Sequence, residues 1–592
     1  MFYDPSLSVL AMSGSHDLAV DVVLIAPKEF EASSSQRTYR EKNFTSFIDR
    51  MGHFGFQKDY VRRINEALGL ECLATYLRES GLKVAIVNCN LAPMGSRAIA
   101  DLVAASGARL VGISLIYRPQ VAQAIELTQL LPRDVTVAMG GALASFMKHE
   151  LLSCLPGLDA IVFGEAEETF RAFAASVIAG GEIKGLPGVA FRDGAHVVVT
   201  PADKPLDLGL IRAPQRDSLA YLNAVGRAPR IASLYTSRGC MAKCTFCTGK
   251  DAYNVERRRT YRFRDPVAVV DEMETLTRSF GTEFFYINDD NFLGYGNKSE
   301  RRVEKFASEI IARNLNIEFA TECRVDGLDR DLLHLLKEAG MVQMLLGLES
   351  GSDAVLKRWR KGATAEQNRE AVRTVKALGI NVEPGFILVD AHTTPDEIAE
   401  NISFIRETGL DRTPFPTYLI NRLSVYPGTE IEQTLTASGV LARSQIAVGM
   451  ALRDDPGAIL REFERLEYRS VEPRVEVFWR GLRQGIEPIE QIIEDVLPTT
   501  TGLLLVARDS GDKTRRRLAS DCIKQIVKWR RDVGRLILQY IEIGHRSFEE
   551  ASAAVQLRRF RSALKEMRAE YDRMHLGSGM QDWLAFIESR FA

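Results

Sequence analysis

Apolar and polar positions along this chain form two long alternations of short apolar runs and amphipathic stretches, followed by a segment that loses the alternation. In the first alternation, residues 21–26 (DVVLIA), 82–88 (LKVAIVN), 108–116 (ARLVGISLI), 135–141 (VTVAMGG) and 158–165 (LDAIVFGE) are near-continuous apolar runs of strand length. Runs of this kind predict strands buried on both faces, as in a parallel sheet. Helical spacing fills the gaps: residues 64–80, closed by Gly81, then SRAIADLVAASG, QVAQAIELTQLL, a short HELLSCL, and residues 167–179. The order predicts a doubly wound, Rossmann-like α/β domain over residues 1–180, with its ligand beyond the C-terminal strand ends. Residues 31–62 interrupt the pattern; they are polar and irregular, with one helix predicted near Phe44–Arg50.

A Gly- and Pro-rich connector follows at 181–229, holding one predicted hairpin, GVAFRDGAHVVVT. The second alternation spans 230–435. Its predicted strands are IASLYTS, EFFYIND, IEFATECRV, VQMLLGLES, VEPGFILVD and TYLINRLSV, with helices near 266–279, 299–314, 329–339, 364–378 and 395–408. Six βα units predict a partial (β/α)6 parallel barrel, whose site again lies at the C-terminal strand ends. Residues 436–592 are charged, helical in spacing and strand-poor, broken by LPTTTG at 497–502, and predict a C-terminal helical domain that covers the barrel mouth.

Length agrees with several domains, since 592 residues exceed what one hydrophobic core sustains. A net charge of -2 gives no electrostatic reason to expect nucleic acid. The short basic runs at Arg257–Arg259 and Lys513–Arg517 read as solvated faces. The first twenty residues lack a basic stretch followed by an apolar core, so no signal peptide is predicted. The longest apolar run in the tail, GLLLVA at 502, is far too short to span a membrane. Eight cysteines, at 72, 89, 154, 240, 244, 247, 323 and 522, do not form a secreted disulfide framework. The expected setting is the reducing cytoplasm.

Three of those cysteines stand apart. Ser237-Arg238-Gly239-Cys240-Met241-Ala242-Lys243-Cys244-Thr245-Phe246-Cys247 has the spacing C-x3-C-x2-C directly after a predicted strand. Three thiolates this close suit a 4Fe–4S cluster with one iron left open. The competing zinc site wants a fourth ligand at matching spacing, and the next cysteine is Cys323.

That motif, at the first strand of a partial barrel, resembles the radical S-adenosylmethionine superfamily, and Phe246 matches the aromatic before its last cysteine. The resemblance implies that the open iron binds the methionyl end of S-adenosylmethionine, whose reductive cleavage usually gives a 5′-deoxyadenosyl radical. It also implies cofactor contacts at successive strand ends. Asn288-Asp289-Asp290 stands where the family usually has Gly-Gly-Glu for the methionyl amine, a departure. Arg324 suits the methionyl carboxylate. Glu349 and Ser350, in Gly347-Leu348-Glu349-Ser350-Gly351, resemble the ribose element, and Gly385 the element beside adenine. Taken singly, each such acid or arginine reads equally well as a strand-end residue in water or in an ion pair. Tyr286 is the candidate catalytic side chain, near a strand end. Trp359, Trp479 and Trp529 read as packing residues, and Tyr426-Pro427-Gly428-Thr429 as a structural turn.

The order of α/β domain, connector and barrel resembles the cobalamin-dependent class of that superfamily, over about residues 60–435. The pieces are Leu68-Gly69-Leu70, Leu110 to Leu115, Met139-Gly140-Gly141 and Phe163-Gly164-Glu165. The resemblance implies Ser114 and Leu115 near the corrin, with Gly140, Gly141, Gly164 and Glu165 around the nucleotide tail. The class's Asp-x-His-x-x-Gly is absent: the corresponding stretch is Asn88-Cys89-Asn90-Leu91-Ala92-Pro93, and His53 alone lies between His16 and His149. Cobalt would then have no histidine from the protein.

The implied function is a cobalamin-dependent radical methyltransferase acting on an unactivated carbon, or phosphorus, of a small molecule, with an external flavodoxin- or ferredoxin-type electron donor. Two alternatives stay open: a rearrangement, cyclisation or oxidation using the same cofactors, and a non-catalytic iron–sulfur electron-transfer or sensor protein.

Overall fold

The computed structural model describes residues 6–12, 14, 18–28, 66–202, 205–226, 230–248, 261–413, 416–443, 455–483, 513–549 and 562. The predicted helix near Phe44–Arg50, His53, the basic run at 257–259 and the LPTTTG and GLLLVA stretches lie outside them, as does the side chain of Trp529.

The first alternation builds a seven-stranded sheet. Strands β1 (Val22–Ala26), β2 (Val84–Asn88), β3 (Leu110–Ser114), β4 (Thr136–Gly140) and β5 (Ala160–Val162) are parallel. β1 and β2 are buried at every position, as unbroken apolar runs require. The order is β2-β1-β3-β4-β5-β6-β7. It reverses between β1 and β3, the switch point at which doubly wound sheets bind ligands. The hairpin predicted in the connector, β6 (Val189–Asp193) and β7 (His196–Val199), pairs antiparallel onto β5 and extends this sheet. Helices Leu68–Glu79 and Glu167–Ala179 pack on one face through Leu70, Leu77, Phe170 and Phe173. Ser96–Ser106 and Val121–Leu130 pack on the other through Ile99, Val103, Ala124 and Leu127. The β2 edge is occupied by helix Ser6–Met12: Ser8 Oγ accepts from Ile86 N at 2.9 Å and donates to Asp217 Oδ1 at 2.6 Å.

The second alternation gives a five-stranded parallel sheet of β8 (Ile231–Leu234), β11 (Phe284–Ile287), β12 (Glu318–Arg324), β13 (Met341–Glu349) and β14 (Asn381–Phe386), in the order β14-β13-β12-β11-β8. A two-stranded ribbon, β9 (Ser237–Arg238) and β10 (Arg262–Phe263), stands beside it. The sixth predicted strand is reduced to one parallel bridge, Val389 to Arg422, with Leu388 N bonded to Asn421 O and Leu423 N to Val389 O. Pro416 begins a 3-10 turn, Pro416–Ile420, where a longer strand would have started; a proline has no N–H for the ladder. Phe319, Cys323, Met344, Leu346, Val382 and Phe386 face the barrel's helices. The alternate positions Glu322, Arg324, Gln343, Glu349 and Glu383 therefore share the concave face.

The described tail is shared between the two cores. Helix Pro456–Arg465 puts Ile459 and Phe463 into the first domain's cluster. Helix Lys513–Arg546 puts Val533, Leu536, Ile537, Tyr540 and Ile541 into the barrel's cluster, against Pro395–Thr408 and the turns Leu410–Arg412 and Pro416–Ile420. It thus docks on the flank of the barrel; the rest of the tail expected to cover the mouth lies largely outside the described residues. Among the described residues, no helix is long and apolar enough to cross a membrane.

Candidate active site

The loop carrying the three cysteines springs from the β9–β10 ribbon through Gly239 (φ +85°). Its root is tied down by Asp289, at the end of β11. The Asp289 carboxylate accepts from Thr236 N (2.6 Å), Thr236 Oγ1 (2.5 Å), Ser237 N (3.1 Å) and Ser237 Oγ (2.6 Å). Arg302 donates to Thr236 Oγ1 at 2.6 Å and stands 4.0 Å from Asp289, so the buried carboxylate has a nearby cation. Farther along, Thr245 N donates to Trp359 O and Thr245 O accepts from Ile431 N, both at 3.0 Å. A cavity of about 320 Å³ opens beside this stretch, lined among others by Thr245, Arg358, Asp390 and His392.

Cys244 is buried, and Cys240 and Cys247 are half-buried; none of the three is joined in a disulfide. The Cys240 sulfur lies 3.4 Å from the Tyr295 hydroxyl, and Arg324 Nη1 donates to the Cys244 sulfur at 3.4 Å. Among the described residues, no three His, Cys, Asp or Glu side chains gather around a point suited to a single metal ion. Three thiols, two of them with a polar partner at the sulfur, are a donor set that fits an iron–sulfur cluster better than zinc.

The other strand-end residues fall into two groups. Asn288 and Asp290 are exposed beside the loop, and Asp290 accepts from Gly239 N at 3.2 Å. Burial of its carboxyl group, with the Asp289 and Glu322 charges adding to it, pushes Asp290 up to about 6. Its exposure by surface area concerns the open side of the residue; the carboxyl itself is crowded. Tyr286 donates to Glu322 at 3.1 Å on the concave face. Arg324 holds Asp326 at 2.7 Å and the Lys361 carbonyl in addition to Cys244. Glu349 sits at a register shift with φ +62°, and accepts from buried Lys361 Nζ at 2.8 Å. Ser350 is buried; its hydroxyl bonds Asn401 Oδ1 at 2.9 Å and so shapes the turn after β13. Gly385 brings its backbone within a Cβ's reach of Leu346 O. Phe246 meets Trp359 edge-on at 5.6 Å and packs on the first domain's core.

The first domain's crest is built mainly of backbone. Gly141 has φ +96°, and a Cβ there would stand 2.8 Å from Leu115 O; one on Gly140 would be 3.2 Å from Val162 O. Leu115 O accepts from Leu143 N and Ala144 N, and Ser114 ends β3 beside it. Ile116 and Tyr117 are exposed at this crest. A smooth backbone cradle with exposed apolar side chains suits a large flat cofactor. Cys89 is buried, which pushes its thiol up to about 11. Glu165, just after Gly164 (φ +79°), turns its carboxylate toward the ribbon beside the barrel sheet. It pairs with Arg262, stands 3.7 Å from Arg238, and accepts from Leu206 N; Glu167 holds Arg238 at 2.5 Å. Both acids thus clamp the ribbon that launches the cysteine loop.

The two crests face each other. Phe246, Trp359, Ile387, Leu423, Val425 and Ile431 of the barrel share one apolar cluster with Leu115, Leu143 and Met147 of the first domain. In the Tyr426–Thr429 turn, Gly428 (φ +77°) comes so close to Phe146 that a Cβ would be 2.8 Å away. Sequence reasoning missed Tyr295, Lys361 and the Glu165/Glu167 clamp. Only the glycines flanking Tyr295 were a local signal.

Comparison with known proteins gives two domain matches: the radical SAM superfamily over residues 234–405, and a B12 binding domain over residues 60–174. A protein named as an uncharacterised methyltransferase from Pyrococcus horikoshii is 26% identical over 390 residues, covering 65% of this chain and 81% of the relative. An anaerobic magnesium-protoporphyrin IX monomethyl ester cyclase from Rubrivivax gelatinosus is 29% identical over 313 residues, covering 51% of this chain and 54% of its own length. Among solved structures, the cobalamin-dependent S-adenosylmethionine radical enzyme OxsB, with aqua-cobalamin and S-adenosylmethionine bound, has the same fold. Its TM-score is 0.67 at 17% identity, covering 97% of this chain and 84% of that one.

Proposed function

This chain belongs to the radical SAM enzymes that carry a B12-binding domain, and we propose that it moves a methyl group from S-adenosylmethionine, by way of cobalamin, to an unactivated carbon or phosphorus of a small molecule. The observation that carries the reading is the apposition of the two crests, which share one apolar cluster while the cysteine loop opens beside it. When bound, the cluster supplies one electron to S-adenosylmethionine and the corrin carries the methyl group. Cys240, Cys244 and Cys247 are the proposed cluster ligands. Asn288, Asp290, Arg324, Glu349 and Gly385 are the proposed contacts for S-adenosylmethionine, with Ser350 shaping the turn beside them. Ser114, Leu115, Gly140, Gly141 and Gly164 are the proposed corrin and nucleotide cradle.

The chain's own residues have defined tasks in this reading. Asp289 fixes the root of the cysteine loop through four hydrogen bonds. Arg324 keeps its charge against Cys244 and remains oriented by Asp326. Tyr286, bonded to Glu322, presents a phenol on the concave face, where substrate would lie. The apolar wall of Phe246, Leu423, Val425 and Ile431 excludes water between the crests. An electron donor of flavodoxin or ferredoxin type completes the scheme.

A second reading has its own support. The cyclase relative keeps open a cyclisation, rearrangement or oxidation with the same cofactors. The experiment that separates them is anaerobic reconstitution with S-adenosylmethionine, hydroxocobalamin, reductant and candidate small molecules. S-adenosylhomocysteine with a product heavier by one methylene supports methyl transfer. 5′-Deoxyadenosine without a methylated product supports the second reading. Turnover that survives replacing all three loop cysteines by alanine rejects both.

A further inference from the structure

Tyr295 is held against the Cys240 sulfur by its surroundings. It is flanked by Gly294 and Gly296, both at φ +69°. A Cβ on Gly294 would come within 2.6 Å of the Tyr261 ring and of Ser299 Oγ, so the chain can pass there only without a side chain. The Tyr295 ring meets Tyr261 edge-on at 6.1 Å, and Tyr261 donates its own hydroxyl to Phe292 O at 3.3 Å. The Tyr295 carbonyl accepts from Ser299 Oγ at 3.0 Å, which fixes the start of helix Gly296–Ala312. The result is a phenol whose oxygen stands 3.4 Å from Cys240 Sγ.

Between a free thiol and a phenol either group can donate. A sulfur that ligates iron has lost its proton, and the phenol is then the one partner with a hydrogen to give. Hydrogen bonds to cluster sulfurs are among the levers by which a protein sets a cluster's potential. Reduction adds negative charge to the cluster and its ligands, so a donor aimed at a ligand sulfur stabilises the reduced form more than the oxidised one. Arg324 acts in the same sense on Cys244, with a full positive charge.

We propose that Tyr295 is a positioning residue for the iron–sulfur cluster, whose O–H···S bond to Cys240 raises the midpoint potential and makes the cluster easier to reduce. The proposal rests on the three thiols holding a cluster, and it is independent of whether the product is methylated.

The test uses the full chain, reconstituted anaerobically with iron and sulfide and without S-adenosylmethionine. Midpoint potentials are read by redox titration followed by electron paramagnetic resonance, and iron and sulfide content are measured on the same samples. Tyr295→Phe, at unchanged iron content, is expected to shift the midpoint to a more negative value. Replacement of Tyr295 by 3-fluorotyrosine, a stronger donor of nearly the same shape, is expected to shift it to a more positive value. Potentials equal to that of the unaltered protein in both variants, or shifts of the same sign, overturn the proposal. Should Tyr295→Phe fail to hold a cluster, the fluorotyrosine protein decides alone: a positive shift supports the proposal and an unchanged potential overturns it. Turnover is not read, so failure of the methyl-transfer reading leaves this result intact.

Discussion

The two crests that face each other solve the same problem with different materials. On the barrel side the proposed work falls to side chains: three thiols, Asp289, Arg324, Glu349, Tyr286 and Tyr295. On the first domain's side it falls mostly to backbone, with Gly141 packed so closely that a Cβ has no room and Gly140 in tight approach to Val162. A cluster needs ligating atoms at fixed points, which side chains provide. A large flat cofactor needs surface, which glycine exposes. Several charged groups of the first domain lie in the seam with the barrel. There Glu165 and Glu167 reach Arg238 and Arg262, while Arg216 bridges Glu66 and Glu272. The two sites should therefore fail separately, and by different kinds of substitution.

The largest effect is expected from Asp289→Ala. It removes the acceptor for four buried donors and leaves Arg302 without its nearby carboxylate, a loss of roughly 4 kcal/mol. Iron retention after anaerobic reconstitution should fall sharply, while corrin binding, followed by its absorption, should change little. Equal loss of both would break the separation.

The next effect concerns charge in the seam. Glu71 is buried; one carboxylate oxygen accepts from Ser218 N at 2.8 Å and the other has no partner. Burial, with the Glu66 and Asp217 charges adding to it and Arg216 opposing, pushes Glu71 up to about 8. The folded protein then holds a proton that the unfolded chain releases near the ordinary value of 4.5. This group's contribution to stability is present at low pH and is lost as pH rises from about 4.5 to about 8. Denaturant unfolding of Glu71→Gln and the unaltered protein at pH 5 and pH 8 should show the difference, up to roughly 3 kcal/mol, with the glutamine form less sensitive to pH.

Gly141→Ala strikes the other crest. At φ +96° and 2.8 Å from Leu115 O, the added Cβ should cost roughly 2 kcal/mol. It should weaken corrin binding and leave iron content unchanged, the reverse of the Asp289 result. The smallest effect is expected where the tail meets the first domain. Arg118 and Glu467 pair at 2.8 Å, with side chains 51% and 67% exposed. Arg118→Ala should shift stability by about 0.5 kcal/mol or less, and less still in high salt.

Strands of the first domain were legible because their apolar runs are continuous, and the cysteine loop because its spacing is local. TYLINRLSV shows the limit of that reading: its apolar pattern passes for a strand, yet only Arg422 makes the parallel bridge. The hairpin at 188–200 was visible as a hairpin, but nothing within it said that β6 would pair with β5. Glu165 was read beside the glycine before it, although its partners lie at Arg238 and Arg262.

By itself, the sequence determined the order of the α/β units, the three thiols and the glycines at the strand ends. These depend on periodicity and spacing over a few residues. The tertiary structure decided which groups those features meet: Asp289 beneath the loop, Tyr295 on Cys240, Lys361 on Glu349, and the tail divided between two cores. The physical reason is that a hydrogen bond or ion pair is selective only at contact distance. Residues dozens of positions apart come within that distance only when the strands are in register and the two sheets are docked.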